Sequence, residues 1–97
     1  MHYTGDVDEN NLASGNGTLY YQNGTIEYEG QFLNNLLHGY GNLYNEMGSL
    51  IYRGFFREGL KEGEGIEYYN TGGKMYEGQW SDDRWEGEGK WYNILGD

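Results

Sequence analysis

Residues 52–75 read YRGFFREGLKEGEGIEYYNTGGKM. The stretch opens on Tyr52-Arg53-Gly54, sets Phe56 two residues on, reaches Gly63-Glu64-Gly65 and closes on Gly72-Gly73. The chain repeats it on both sides. Tyr-x-Gly recurs at Tyr28-Glu29-Gly30 and Tyr76-Glu77-Gly78, 24 residues away in either direction. Gly-x-Gly keeps the same step at Gly15/Gly17, Gly39/Gly41, Gly63/Gly65 and Gly87/Gly89. A fixed period of this length marks a stacked array, in which each unit buries its apolar face against its neighbours. Arrays of this kind offer surfaces for binding rather than chambers for reaction.

The period divides the chain into units at 28–51, 52–75 and 76–97, with an eroded unit at about 3–27 that opens on Tyr3 and Gly5 and carries Val7 where the others have an aromatic. We read one domain over 1–97. Each unit predicts two strands. The first covers Tyr28–Phe32, Tyr52–Phe56 or Tyr76–Trp80, where alternate residues read ring, glycine, ring on one face. The second covers Gly39–Tyr44, Gly63–Tyr68 or Gly87–Tyr92. Turn chemistry lies between them at Asn23-Gly24, Met47-Gly48 and Gly72-Gly73. No segment carries an apolar stripe of helical period with caps. The expected fold class is all-β: a single-layer antiparallel meander of stacked hairpins, forming an open, ribbon-like sheet.

The glycines have a packing purpose. A ring needs a seat, and a glycine on the next strand leaves bare backbone under it. Tyr28, Phe32, Tyr52, Phe56, Tyr76 and Trp80 are therefore expected to rest over the Gly-x-Gly positions of adjacent strands. Tyr20, Tyr44, Tyr68 and Tyr92, again 24 apart, predict a second row in which each ring touches its counterpart one repeat away.

Composition sharpens this. Leu, Ile, Val and Phe number 17 of 97 residues and the net charge is −10, a balance that alone would read as disorder. Eleven Tyr and three Trp supply the missing apolar area, and 18 Gly supply close approach. The absence of Cys excludes thiol chemistry, and the absence of Pro suits paired strands. No apolar run approaches about 18 residues and no basic-then-apolar leader opens the chain, so a cytoplasmic location is expected. Residues 1–48 hold six acids and no Lys or Arg. Such a field repels nucleic acid and anionic lipid and favours basic proteins, so we expect neither direct nucleic-acid binding nor membrane binding.

These residues resemble the MORN repeat: Tyr-x-Gly-x-aromatic, a loop glycine, Gly-x-Gly, an aromatic and a turn glycine. The unit at 52–75 carries Tyr52, Gly54, Phe56, Gly59, Gly63, Gly65, Tyr68 and Gly72 of that pattern. Asn35 and Asp83 depart from it, standing where a loop glycine is usual. The 24-residue step resembles a variant of bacterial proteins, some of them antitoxin components. The resemblance implies a ribbon of stacked hairpins, and roles in protein contact, scaffolding or lipid attachment. It implies no catalytic residues and no cofactor.

Candidate site residues fall into two groups. Glu62/Glu64 and Glu86/Glu88 are spaced i, i+2 in successive units, so their carboxylates share a face. With Asp82 and Asp83 they form an acidic edge for a basic partner, or a charged surface that only discourages edge pairing. Acid–base catalysis would need a concave, drier site than a thin sheet provides. The second group breaks the polar pattern of the connectors: Leu36, Leu37, Leu60 and Trp85 are expected to line one rim as an apolar patch. Phe55 stands where its counterparts are Gln31 and Gln79, opposite the ring ladder. The rim leucines have an alternative use, covering the ladder, and Arg53 and Arg57 have one in pairing with Glu29 and Glu77.

His2 and His38 lie far apart, and no metal site is expected; His38 reads as a loop residue. The Gly-x-Gly pairs lie within strands and open no helix, so they cradle no phosphate. Three functions remain: a non-catalytic protein-docking module, a small acidic inhibitor that blocks the nucleic-acid groove of an enzyme, and, from the resemblance alone, a membrane-associated scaffold. The open edges leave a homodimer available.

Overall fold

The computed structural model describes residues 2–94. Eight strands follow one another in a single sheet: β1 (His2–Val7), β2 (Ala13–Tyr20), β3 (Ile26–Leu33), β4 (Leu36–Tyr44), β5 (Leu50–Arg57), β6 (Leu60–Tyr68), β7 (Lys74–Ser81) and β8 (Arg84–Trp91). Sheet order equals chain order and every pairing is antiparallel. The body measures 46 × 30 × 15 Å, the thickness of one sheet with its side chains. The expected open all-β meander is what forms.

One glycine from every strand lines up in register. Gly5, Gly17, Gly30, Gly41, Gly54, Gly65, Gly78 and Gly89 pair in succession across all seven junctions. The Tyr of each Tyr-x-Gly lies over the glycine of the following strand. A methyl group built at Gly41, Gly65 or Gly89 would strike the ring of Tyr28, Tyr52 or Tyr76. Each hydroxyl then donates to the carbonyl three residues on: Tyr28 to Gln31 at 2.9 Å, Tyr52 to Phe55 at 3.0 Å and Tyr76 to Gln79 at 2.8 Å. The buried phenols thus keep a polar partner.

Phe32, Phe56 and Trp80 wedge between these tyrosines. Their centroids run Tyr3–Phe32 4.9 Å, Phe32–Tyr28 5.1 Å, Tyr28–Phe56 5.4 Å, Phe56–Tyr52 5.1 Å, Tyr52–Trp80 5.4 Å and Trp80–Tyr76 5.4 Å, all edge to face. The core is this one chain of rings on one face, here called the ladder face; the other is the reverse face.

Three expectations need correction. The first is the site of Leu36, Leu37, Leu60 and Trp85. They lie within β4, β6 and β8, because the connectors are only Asn34-Asn35, Glu58-Gly59 and Asp82-Asp83. All six turn residues have positive φ, between 49° and 85°. That is the tight hairpin turn whose twist matches the flanking strands, and Asn, Asp and Gly tolerate it best. His38 falls within β4 for the same reason, its Nδ1 accepting the Glu58 N–H at 3.2 Å.

The second is the single apolar rim. Consecutive strand residues face opposite sides. Leu37 packs on the core and Trp85 lies across from Trp80, both on the ladder face. Leu36 pairs with Leu33 and Leu60 with Arg57, both on the reverse face. The patch is therefore split in two.

The third is the second aromatic row. Among the described residues no ring contact joins Tyr20, Tyr44, Tyr68 and Tyr92 to one another. Counterparts sit two strands apart, roughly 9.5 Å, beyond ring contact. Instead, the Tyr44 hydroxyl donates to Glu29 at 3.3 Å and that of Tyr92 to Glu77 at 3.2 Å.

Candidate functional site

The reverse face carries an exposed aromatic pair. Phe55 and Tyr40 face each other across β5 and β4, with centroids 5.2 Å apart and nearly perpendicular rings. Phe55 is 46% exposed and Tyr40 44%. Their own strands explain this. Tyr52, Gly54 and Phe56 take the ladder face of β5, which turns Phe55 outward; Gly39 and Gly41 do the same for Tyr40.

A groove of about 290 Å³ runs from this pair along the glycine row toward β7. Arg53, Ile66 and Glu77 flank one side of its bare floor of Gly54, Gly65 and Gly78, and Glu64 and Gln79 flank the other. The apolar elements are two rings and Ile66, and the polar ones are two carboxylates, an amide and a guanidinium. This mixture suits a side chain or peptide of a partner protein, with an aromatic centre and a charged border.

The carboxylates differ in how far they are engaged. Glu64 Oε1 accepts from Gln79 Nε2 at a long 3.4 Å. Glu77 is held by Lys74 Nζ at 3.0 Å, and this hydrogen bond keeps its carboxyl below the ordinary range while it raises the lysine. Glu62 meets Arg57 at 3.6 Å and accepts the Asp82 N–H at 3.4 Å. Arg53 donates from Nε to Asn42 Oδ1 at 3.1 Å, its cross-strand neighbour. Neither arginine therefore pairs with Glu29 or Glu77 as the alternative reading had it. Register places Asn42 and Ile66, not a carboxylate, beside Arg53.

Glu86 and Glu88 lie on β8, equivalent to Glu62 and Glu64, and are exposed. Gly63 and Gly87 bulge between the members of each pair with φ of +78° and +64°. Asp83 is committed to the fold. Its Oδ1 accepts the Lys61 N–H at 2.7 Å, and its own N–H reaches the Lys61 carbonyl at 3.1 Å. Asn35 clamps Ala13 in the same way. Leu37 is likewise used inside, and Trp85 stacks within the last repeat while its Nε1 donates to Glu67 of the preceding repeat at 3.1 Å.

Of the residues singled out in the sequence, Phe55 and Glu64 border this groove, while Leu36 and Leu60 share its face; Leu37, Asp83 and Trp85 do not contribute to it. Tyr40 was missed. The signal was present: among the Gly-x-Gly pairs only this one encloses an aromatic, where the others have Asn16, Glu64 and Glu88. Glycine-to-glycine register would have set it against Phe55. Among the described residues no three His, Asp or Glu side chains converge to hold a metal ion. None of the described residues forms a helix long and apolar enough to cross a membrane.

Comparison with curated proteins returns no match. The MORN repeat, whose copies commonly serve as protein- and membrane-interaction modules, matches four times, over residues 3–26, 28–49, 52–74 and 76–93. Four matches in tandem span most of the eight-stranded sheet, and the chain belongs to the MORN repeat family.

Proposed function

We propose that this protein is a non-catalytic docking module that binds a basic partner protein through its reverse face. The observation that carries the reading is the exposed Tyr40–Phe55 pair at the mouth of a groove bordered by Glu64 and Glu77. Rings in this position add nothing to the ladder on the other face. They are large, rigid and half-exposed, which is the profile of an interface anchor. The surrounding charge of −10 steers basic surfaces toward them. The compartment in which this happens is taken to be the cytoplasm.

A narrower reading keeps the same face and changes the partner: a small acidic inhibitor seated in the nucleic-acid groove of an enzyme. Glu62, Glu64, Glu86 and Glu88, repeated on β6 and β8, favour it by spacing carboxylates along one ribbon.

Affinity capture with the native chain and with Phe55→Ala/Tyr40→Ala as paired baits tests the first reading. Proteins held by the native bait should be lost from the variant, with circular dichroism unchanged. Equal capture by both baits removes the reading. Reversing Glu62, Glu64, Glu86 and Glu88 to Lys separates the two. The inhibitor requires loss of capture, a steep salt dependence and a nucleic-acid-binding enzyme as the captured protein. The aromatic dock predicts modest weakening and a slower on-rate.

A further inference from the structure

The outer edge of β8 bears a self-complementary pattern. Every residue of β8 is exposed, and among the described residues no strand pairs with its outer backbone groups. Its equivalents show how such an edge pairs. On β4 the segment Gly39–Leu43 pairs regularly with β5, and on β6 the segment Gly63–Glu67 pairs with β7. Two rules hold at both junctions. Glycine faces glycine, as Gly41 faces Gly54 and Gly65 faces Gly78; and a large ring faces the first glycine of Gly-x-Gly, as Phe56 faces Gly39 and Trp80 faces Gly63.

The corresponding segment of β8 is Gly87-Glu88-Gly89-Lys90-Trp91. Turned antiparallel on itself about Gly89, it meets both rules. Gly89 faces Gly89, and Trp91 faces Gly87. Glu88 faces Lys90 twice, and opposite charges directly across a strand pair are favourable.

The ring ladder ends at this same edge. Beside Tyr28 and Tyr52 stand Phe56 and Trp80 of the following repeat. Beside Tyr76 the place is filled from within the same repeat, by Trp91 at 4.7 Å and Trp85 at 5.9 Å. Their counterparts are Leu43 and Leu37 in one repeat, Glu67 and Lys61 in the next. The two indoles close the ladder yet remain 49% and 54% exposed, Trp85 and Trp91 respectively. They leave an apolar border along an unpaired edge, which soluble sheets otherwise blunt.

We propose that two copies of this chain join through β8, with a two-fold axis passing between the facing Gly89 residues. The sheet then runs to sixteen strands, and the ladder and reverse faces of the two copies coincide. Other pairings of the same edge are poorer. A two-fold at Glu88 opposes two carboxylates. Joining β8 to β1 of a second copy in the glycine register sets Glu88 against Asp6 and offers Gly87 only Val7. The pairing stands independently of what the reverse face binds.

Sedimentation equilibrium of the 97-residue chain over a concentration series tests it. A monomer–dimer equilibrium is expected, tightening with salt because each copy carries −10. Glu88→Lys and Lys90→Glu should each sediment as monomer at concentrations where the native chain is dimeric. An equimolar mixture of the two should recover the dimer, since one of its two cross-strand contacts is then the native Glu88–Lys90 pair and the other the same pair with signs exchanged. Asp6→Lys should change nothing. Thermal melts confirm that the exposed substitutions leave the fold intact. A native chain that stays monomeric throughout, single variants that dimerise like the native chain, a mixture that does not recover, or a ladder of species above dimer overturns the proposal.

Discussion

A methyl group added at Gly65 would occupy the space of the Tyr52 ring. Gly72, in a loop, has no atom near its missing side chain but holds φ at +96°. The two positions separate sterics from backbone strain. Gly65→Ala should destabilise by about 1–3 kcal/mol through overpacking, and Gly72→Ala by about 1 kcal/mol through conformation alone. Urea unfolding of both variants checks the order; equal losses would mean that the ring seat is not the reason for the glycine.

The same tyrosines make stability depend on alkaline pH. Burial pushes the Tyr28 phenol from its ordinary 10.0 up to about 12, and Tyr52 moves the same way by burial and the nearby Asp83 charge. A phenol that keeps its proton longer in the folded state stabilises fully below its unfolded pKa. The contribution drains as pH climbs from 10 toward 12. Unfolding free energy should therefore fall steeply above pH 10, and Tyr28→Phe should flatten the fall. Denaturant titrations at stepped pH measure the slope.

At the scale of the element, the two-residue turns do more than reverse the chain. The N–H groups of Asn35, Gly59 and Asp83 reach back to the Ala13, Leu37 and Lys61 carbonyls of the preceding repeat. Asn35 and Asp83 add a side-chain acceptor for the N–H of Ala13 or Lys61, which Gly59 cannot offer. The departures from the usual loop glycine are thus inter-repeat clamps. Asp83→Gly keeps the φ of +68° available and removes only the hydrogen bond, so it should cost about 0.5–1.5 kcal/mol. Asp83→Asn, which imitates Asn35, should stay close to the native chain in a thermal melt.

At the scale of the whole molecule, a sheet with one ladder has no centre. Each repeat is held by its neighbours, so protection should follow position in the array. Amides of β4, β5 and β6 should exchange hydrogen slowest and those of β1 fastest, β1 being an edge strand whose Val7 gives the ladder no ring. Equal protection in all eight strands, read by exchange mass spectrometry, would contradict a nearest-neighbour array. Because only one face is used for stability, Phe55→Ala should change unfolding free energy by no more than about 0.5 kcal/mol. Its effect belongs to binding.

The amino-acid sequence by itself determined the period, the all-β class, the glycine seats and the outward position of Phe55. All of these follow from spacing and from the alternation of a strand. Strand length was not legible, because Asn34-Asn35 and Asp82-Asp83 do not announce that both residues take the left-handed region. Two-residue turns drew Leu36, Leu37, Leu60 and Trp85 into strands, and the pleat then sent them to opposite faces. Only the tertiary structure decided which carboxylates are spent on neighbours and which remain outward. Asp83 and Glu64 are indistinguishable as charges in the chain. They differ because a backbone N–H from the preceding hairpin arrives at one and only a distant amide at the other.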